Sequence, residues 1–131
     1  MSTNANIVGF NLESNTWDVA YCHWDGYPAH VGATLNDHYS KPADISNLLQ
    51  LGDISVLAKS IEDSEFFARD RDKDLNLNQF DSYNDAVEFG LDPDSWCEYV
   101  YLHAGDHWEI YNSDNKEFTE LTKNIIKGNE I

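Results

Sequence analysis

Positive charge is what this sequence has least of. Eight lysines and arginines stand against 24 aspartates and glutamates, a net charge of −16, and the two arginines, Arg69 and Arg71, sit inside a run of acids. So few cations cannot build a surface that tracks a phosphate backbone or an anionic bilayer. Direct nucleic-acid and membrane binding are therefore set aside, and a charged partner is expected to be a protein with a basic surface. The bland counterpart of the same charge is solubility.

Cysteine is scarce too. Cys22 and Cys97 are the only two and no C-x-x-C occurs, which argues against a disulfide scaffold or a zinc ribbon; both are read as buried thiols. No Gly-rich phosphate loop, G-x-S-x-G elbow or H-E-x-x-H is present. The usual enzyme classes lose their signatures with them, so no catalytic residue, metal ligand or cofactor is assigned and an enzyme is the less favoured reading. No apolar run approaches a membrane span and no basic-plus-apolar leader opens the chain, so a cytosolic location is expected.

Aromatic side chains, by contrast, are plentiful: four Trp, seven Tyr and six Phe among 131 residues. That bulk suffices for one core, and a single domain over residues 1–131 is expected. The densest stretch is YCHWDGYP, Tyr21 to Pro28. It combines two phenols, a thiol, an imidazole, an indole and a carboxylate. The preceding TWDVAYC alternates Trp17, Val19 and Tyr21 against Thr16, Asp18, Ala20 and Cys22, the period of a half-covered strand. Asp25-Gly26 then breaks the strand, Gly26 supplying positive φ and Asp25 bonding its downstream backbone. Pro28 opens a helix. A strand-to-helix junction carrying Tyr21, His23, Trp24, Asp25 and Tyr27 is a natural home for a ligand site, although the same residues can simply plug a core.

YCHWDGYP, followed by VGATLNDHYS and LLQLGDIS, resembles a group of small bacteriophage and prophage proteins that read YCHWDGYPxxxGxxLxxxY and then LGD[IL]S. The opening MST, the FFARDRD segment and CEYVYLHAGDHW extend the likeness over most of residues 1–111. Two departures are a longer acidic insert after Arg71, where the group reads closer to RDRGE, and a C-terminal tail without counterpart. The resemblance implies a phage-encoded protein working in the cytosol of a host cell. It brings no established activity.

Along the rest of the chain, residues 4–10 are read as a strand forming a hairpin with residues 16–22 through a turn at Asn15. Val31, Leu35 and Tyr39 mark the inward face of the helix after Pro28, and Gly32 within it implies close packing, with the junction aromatics as candidate neighbours. A second helix is predicted with Ser40 as cap, Pro42 in its first turn, Ile45, Leu48 and Leu49 buried, and Gly52 at its end. Residues 53–57 are read as a turn or short helix, and Glu65 to Ala68 as a middle strand. A helix over 82–89 stopped by Gly90, a hairpin built on Trp96–His103 and 107–111, and a C-terminal helix complete the reading. Asp114 and Glu117 cap that last helix, Phe118, Leu121 and Ile125 form its buried stripe, and Gly128 ends it. The sum is an α+β fold: a mostly antiparallel sheet of about five strands, two hairpins plus a middle strand, with three or four helices on one face.

Three constellations carry chemistry. Asp70 to Asp81 alternates oxygen donors like a calcium loop, but Leu75 stands where a Gly should turn the chain, which favours a solvated acidic loop. Cys22, His23 and Asp25 with Cys97, His103 and His107 invite zinc or a thiol nucleophile, weakened because Cys22 and His23 face opposite ways. Arg69 and Arg71 are read as local ion pairs, with a paired-arginine pocket for a phosphorylated ligand as the alternative.

Two functions from different classes remain. In the first, Asp63, Glu65, Asp70, Asp72, Asp74, Asp81, Asp85, Asp92, Asp94 and Glu98 present carboxylates to a basic host macromolecule, in the sharp version as a nucleic-acid mimic that inhibits a host defence or DNA-transacting protein. In the second, Tyr21, His23, Trp24, Asp25 and Tyr27, with Arg69 and Arg71, sequester or hydrolyse a small nucleotide-like ligand.

Overall fold

The computed structural model describes residues 3–95 and 97–127. The chain begins with the hairpin β1 (Ala5–Asn11) and β2 (Thr16–Cys22), continues through a wide π-type turn, Pro28–Gly32, into α1 (Ala33–His38), and then forms α2 (Pro42–Leu49). Short elements follow: β3 (Ile54–Val56), β4 (Glu65–Phe66), α3 (Phe67–Arg71), β5 (Asn78–Phe80) and α4 (Tyr83–Gly90). The last part is a meander, β6 (Tyr99–His103), β7 (Trp108–Asn112) and β8 (Glu117–Glu120), closed by α5 (Lys123–Ile126). No helix among the described residues is long and apolar enough to cross a membrane.

The α+β class holds, but the sheet is larger and differently paired than the sequence implied. It has eight strands in the order β4-β3-β2-β1-β6-β7-β8, with β5 attached to β2. It is mixed rather than mostly antiparallel, because β1 runs parallel to β6 and β2 parallel to β3. Four strands have two to four residues. At that length alternation cannot be seen in the sequence; such segments are extended because a neighbour's ladder accepts them.

The N-terminal hairpin is as expected, in unbroken register from Ala5 opposite Cys22 to Asn11 opposite Thr16. Asn15 closes it at φ 59°, a left-handed conformation Asn tolerates. Its alternation sorts residues between two cores. Ala20 and Cys22 enter the larger one with Ile7, Leu35, Tyr39, Ile45, Leu48, Leu49 and Tyr101, whereas Val19 lies in a smaller one with Val8, Ala86, Val100 and Leu102. Residues from α1, α2 and α5 fill the first, and α4 packs on β1 and β2 in the second. Helices thus cover both faces, not one.

Other local expectations shift for identifiable reasons. Helix α2 starts with Lys41 at its N-cap and no side-chain cap, while the Ser40 carbonyl instead meets His103 Nε2 at 2.9 Å. Residues 54–56 are a strand, not a turn or helix. The Glu65–Ala68 strand is cut to two residues because Asp70 reaches back to accept from the Phe66 N–H at 2.9 Å, starting α3. The Asp114–Glu117 capping box does not form: Asn112 and Asn115 side chains take the N–H groups of Asp114 and Glu117, Lys116 adopts φ 58°, and the chain turns back as β8. Leu121 and Ile125 are buried as expected, but Leu121 precedes the short helix that Thr122 caps, and Phe118 lies on β8, partly buried against the smaller core. Trp96 and Gly128, assigned to a strand and a helix end, lie outside the described residues.

Two glycines fit helices onto the sheet. A Cβ at Gly90 would lie 3.1 Å from Val8, and the buried Asn6 Nδ2 donates to the Gly90 carbonyl at 3.0 Å, so the end of α4 is fastened to β1. A Cβ at Gly9 would stand 2.7 Å from Ile45 Cγ2 and 3.2 Å from Leu49 Cδ1. The Gly9→Ala substitution should therefore push α2 off β1 and cost about 1–3 kcal/mol, read as a lower urea midpoint at unchanged slope. An unchanged midpoint would show that α2 does not approach β1 this closely.

Candidate functional site

The junction after β2 is positioned by the backbone before any side chain acts. His23 N–H donates to the Ile54 carbonyl at 2.9 Å and Trp24 N–H to the Ser55 carbonyl at 3.1 Å, so pairing with β3 continues past the strand. Asp53 accepts the Tyr21 N–H at 3.2 Å and the Asn76 Nδ2 at 3.0 Å. LGDIS is therefore the segment that backs YCHWDGYP. The CEYVY segment holds it from the other side, where the buried Tyr101 hydroxyl donates to the Gly26 carbonyl at 2.6 Å.

The turn works differently from the sequence expectation. Positive φ falls on Asp25, at 56°, not on Gly26. Gly26 is required for room instead: a Cβ there would be 2.9 Å from Ala5 Cβ, the Asn4 carbonyl carbon and Thr3 O. Asp25 contributes its carbonyl, which accepts the Val31 N–H at 3.2 Å. Gly32 does pack closely, but against Tyr101 rather than the junction aromatics: a Cβ there would lie 3.3 Å from the Tyr101 ring.

Among the side chains, Tyr21 and His23 share a face, and the Tyr21 hydroxyl and His23 Nδ1 are hydrogen-bonded at 2.7 Å. Trp24 meets the His23 ring edge-on at 4.9 Å and Phe67 approaches it at 6.3 Å. The Arg71 guanidinium lies 5.5 Å over Phe67 while pairing with Glu65 at 3.1 Å. The result is an aromatic shelf of Tyr21, His23, Trp24 and Phe67 edged by Arg71. Trp24 is 42% exposed. Burial raises the Tyr21 phenol above its ordinary range, with Cys97 adding to the effect. Tyr27, 40% exposed, pairs with His30 at 6.2 Å instead of with the shelf.

Arg69 stands apart from Arg71. It lies 4.8 Å over Phe66 and gives its donors to Asp70 and to the carbonyls of Ile61 and Ser64, at 2.7–3.1 Å. Each arginine thus makes a local ion pair over its own phenyl ring, and the two do not converge on one pocket. Phe67 and Asp53 carry no site signal in the sequence beyond the LGDIS motif around Asp53, whereas Asn76 stands among the alternating oxygen donors of the Asp70–Asp81 loop.

The other constellations separate. Cys22 is buried in the larger core, where burial pushes its thiol up to about 12, so it holds its proton. His103 is buried, and that burial lowers its pKa. His107 is held by Asp106 at 2.6 Å and Glu109 at 2.9 Å, which raise its pKa, Asp106 most. In the acidic loop Asp70 is turned to Arg69, which holds its carboxyl below the usual range, and Asn76 to Asp53. No three His, Cys, Asp or Glu gather as a metal site among the described residues. Asp63, Glu65, Asp70, Asp72, Asp74, Asp81, Asp85, Asp92, Asp94 and Glu98 are all exposed. A cleft of about 540 Å³ lies beside the junction, between α1 and the 56–63 segment, with His30, Thr34, His38, Lys59 and Asp63 among its walls. Asp63 is the one residue singled out from sequence that lines it.

Compared with known proteins, the chain matches no protein-family model, no curated protein and no solved structure.

The buried Cys22 thiol sets a pH dependence. Its folded pKa lies above the ordinary 9.0, so its stabilising contribution is complete below pH 9 and is lost as pH rises toward about 12. Chemical denaturation of the protein should show falling stability over that window, with a shallower fall in Cys22→Ala; equal slopes would mean that Cys22 ionises freely.

Proposed function

We propose that this chain is a phage-encoded, non-enzymatic accessory protein that acts in the host cytosol by binding a host protein with a basic surface. In its sharp form it is a nucleic-acid mimic that inhibits a host defence or DNA-transacting protein. The observation that supports this reading is the disposition of charge between β4 and β6. Asp63, Glu65, Asp70, Asp72, Asp74, Asp81, Asp85, Asp92, Asp94 and Glu98 are exposed, and the two arginines of the same stretch are tied to Asp70 and Glu65. A field of uncompensated negative charge accelerates encounter with a basic partner and screens with salt.

A second reading is favoured by one observation, the exposed Trp24 at the edge of the Tyr21–His23 hydrogen bond. An aromatic shelf next to Arg71 suits a flat, anionic molecule such as a nucleotide, stacking on the ring and pairing with the guanidinium.

The two are separated by capture from host lysate at low and high salt, followed by mass spectrometry of the retained proteins and small molecules. For the first, a basic protein is retained at low salt and released as salt rises. Changing Asp72, Asp74, Asp81 and Asp85 together to Asn slows its association about tenfold or more. Binding insensitive to both would end the mimic reading. For the second, a nucleotide-like molecule is retained and Trp24→Ala weakens it about tenfold; retention unaffected by Trp24→Ala would end it.

A further inference from the structure

Phe89 on α4 is 42% exposed. Together with Phe80 of β5 it lines a groove of about 450 Å³, the two rings 5.1 Å apart and tilted by 44°. The remaining lining is acidic: Asp85, Glu88 and Asp92. No lysine, arginine or histidine lines this groove among the described residues.

Asp85 lies in the favourable first turn of α4, but the rest of the negative charge sits where helix physics disfavours it. Asp85 and Glu88 are three residues apart on α4, so they repel along one face. Glu88 lies in the last turn and Asp92 just past the cap residue Leu91, both at the negative end of the helix dipole, with no basic residue in that turn. A cation in the groove relieves both repulsions and lies against the electron-rich ring faces.

The chain itself shows which cation suits such a surface. Arg69 lies 4.8 Å over Phe66 while holding Asp70, and Arg71 lies 5.5 Å over Phe67 while holding Glu65. A phenyl ring beside a carboxylate is thus twice filled by a guanidinium from within. The Phe80–Phe89 groove is the same combination without an arginine of its own. A planar guanidinium stacks on a ring while its N–H donors reach carboxylates, which a compact, strongly hydrated ammonium does less well.

We propose that this groove seats an arginine side chain presented by a basic protein partner. The inference rests on the reading of the protein as a binder of basic surfaces and names the place and the chemistry of that contact. The test is an NMR titration of the full chain with an acetylated, amidated six-residue arginine peptide and with a lysine peptide of equal length. The arginine peptide should shift the Phe80 and Phe89 ring signals and the amides of 85–92, and bind more tightly than the lysine peptide. Phe89→Leu, which keeps apolar bulk without a ring, should weaken it about two- to fivefold. Glu88→Gln, a surface change that leaves the ring pair intact, should reduce the salt dependence of binding. Shifts confined to other parts of the molecule, equal binding of the two peptides, or unchanged binding by Phe89→Leu would each overturn the inference. A basic host protein retained equally by wild type and Phe89→Leu removes the groove but leaves the acidic-surface reading standing. Groove occupancy by the peptide with no host protein retained does the reverse.

Discussion

The structure depends on the backbone ladder of β2. One edge of this strand is occupied by β1 along its whole length, and the other is divided between β5 at Trp17–Val19 and β3 at Cys22. Because the bonds to β3 continue through His23 and Trp24, the chain leaves the sheet held on a fixed course. Asp25 then takes the left-handed turn, Gly26 passes against the start of β1, and Tyr101 fastens the turn from the next strand. The His23 and Trp24 N–H groups and the Gly26 carbonyl are main-chain groups that these contacts satisfy, so the turn and the sheet require one another.

That arrangement explains why the junction side chains divide. Cys22 is drawn into the larger core, where its thiol is inert, while Tyr21 and His23 are directed to the other face and bond one another. The aromatic shelf is therefore a by-product of strand alternation meeting a turn, and its exposure comes from Trp24, beyond the last core position. Tyr27 is carried away to His30 by the π-type turn.

Charge follows a separate logic. The two arginines of the acidic stretch are held locally over Phe66 and Phe67, and the carboxylates from Asp72 to Asp94 are left to solvent. Exposed ion pairs of this kind contribute little to stability. Their consequence is for the surface: they remove the arginines from any role as an anion pocket shared between them, and among the described residues no cation lines the Phe80–Phe89 groove beside Asp85, Glu88 and Asp92.

What the amino-acid order determined by itself was local and periodic: the first hairpin, the inward stripes Val31–Leu35–Tyr39 and Ile45–Leu48–Leu49, the helix near 82–89, and the acidity of the chain. These are legible because periodicity, turn chemistry and net charge act within a few residues or need no structure at all. Tertiary structure alone decided the parallel pairings β1–β6 and β2–β3, the conversion of the Asp114–Glu117 segment into β8, and the meeting of Asp53 and Phe67 with the junction. Strands of two to four residues carry no period, and a capping box yields when a neighbouring strand offers more hydrogen bonds. Residues 32 (Cys22 and Ile54) to 94 (Ala5 and Tyr99) positions apart met only because a sheet edge was open to receive them.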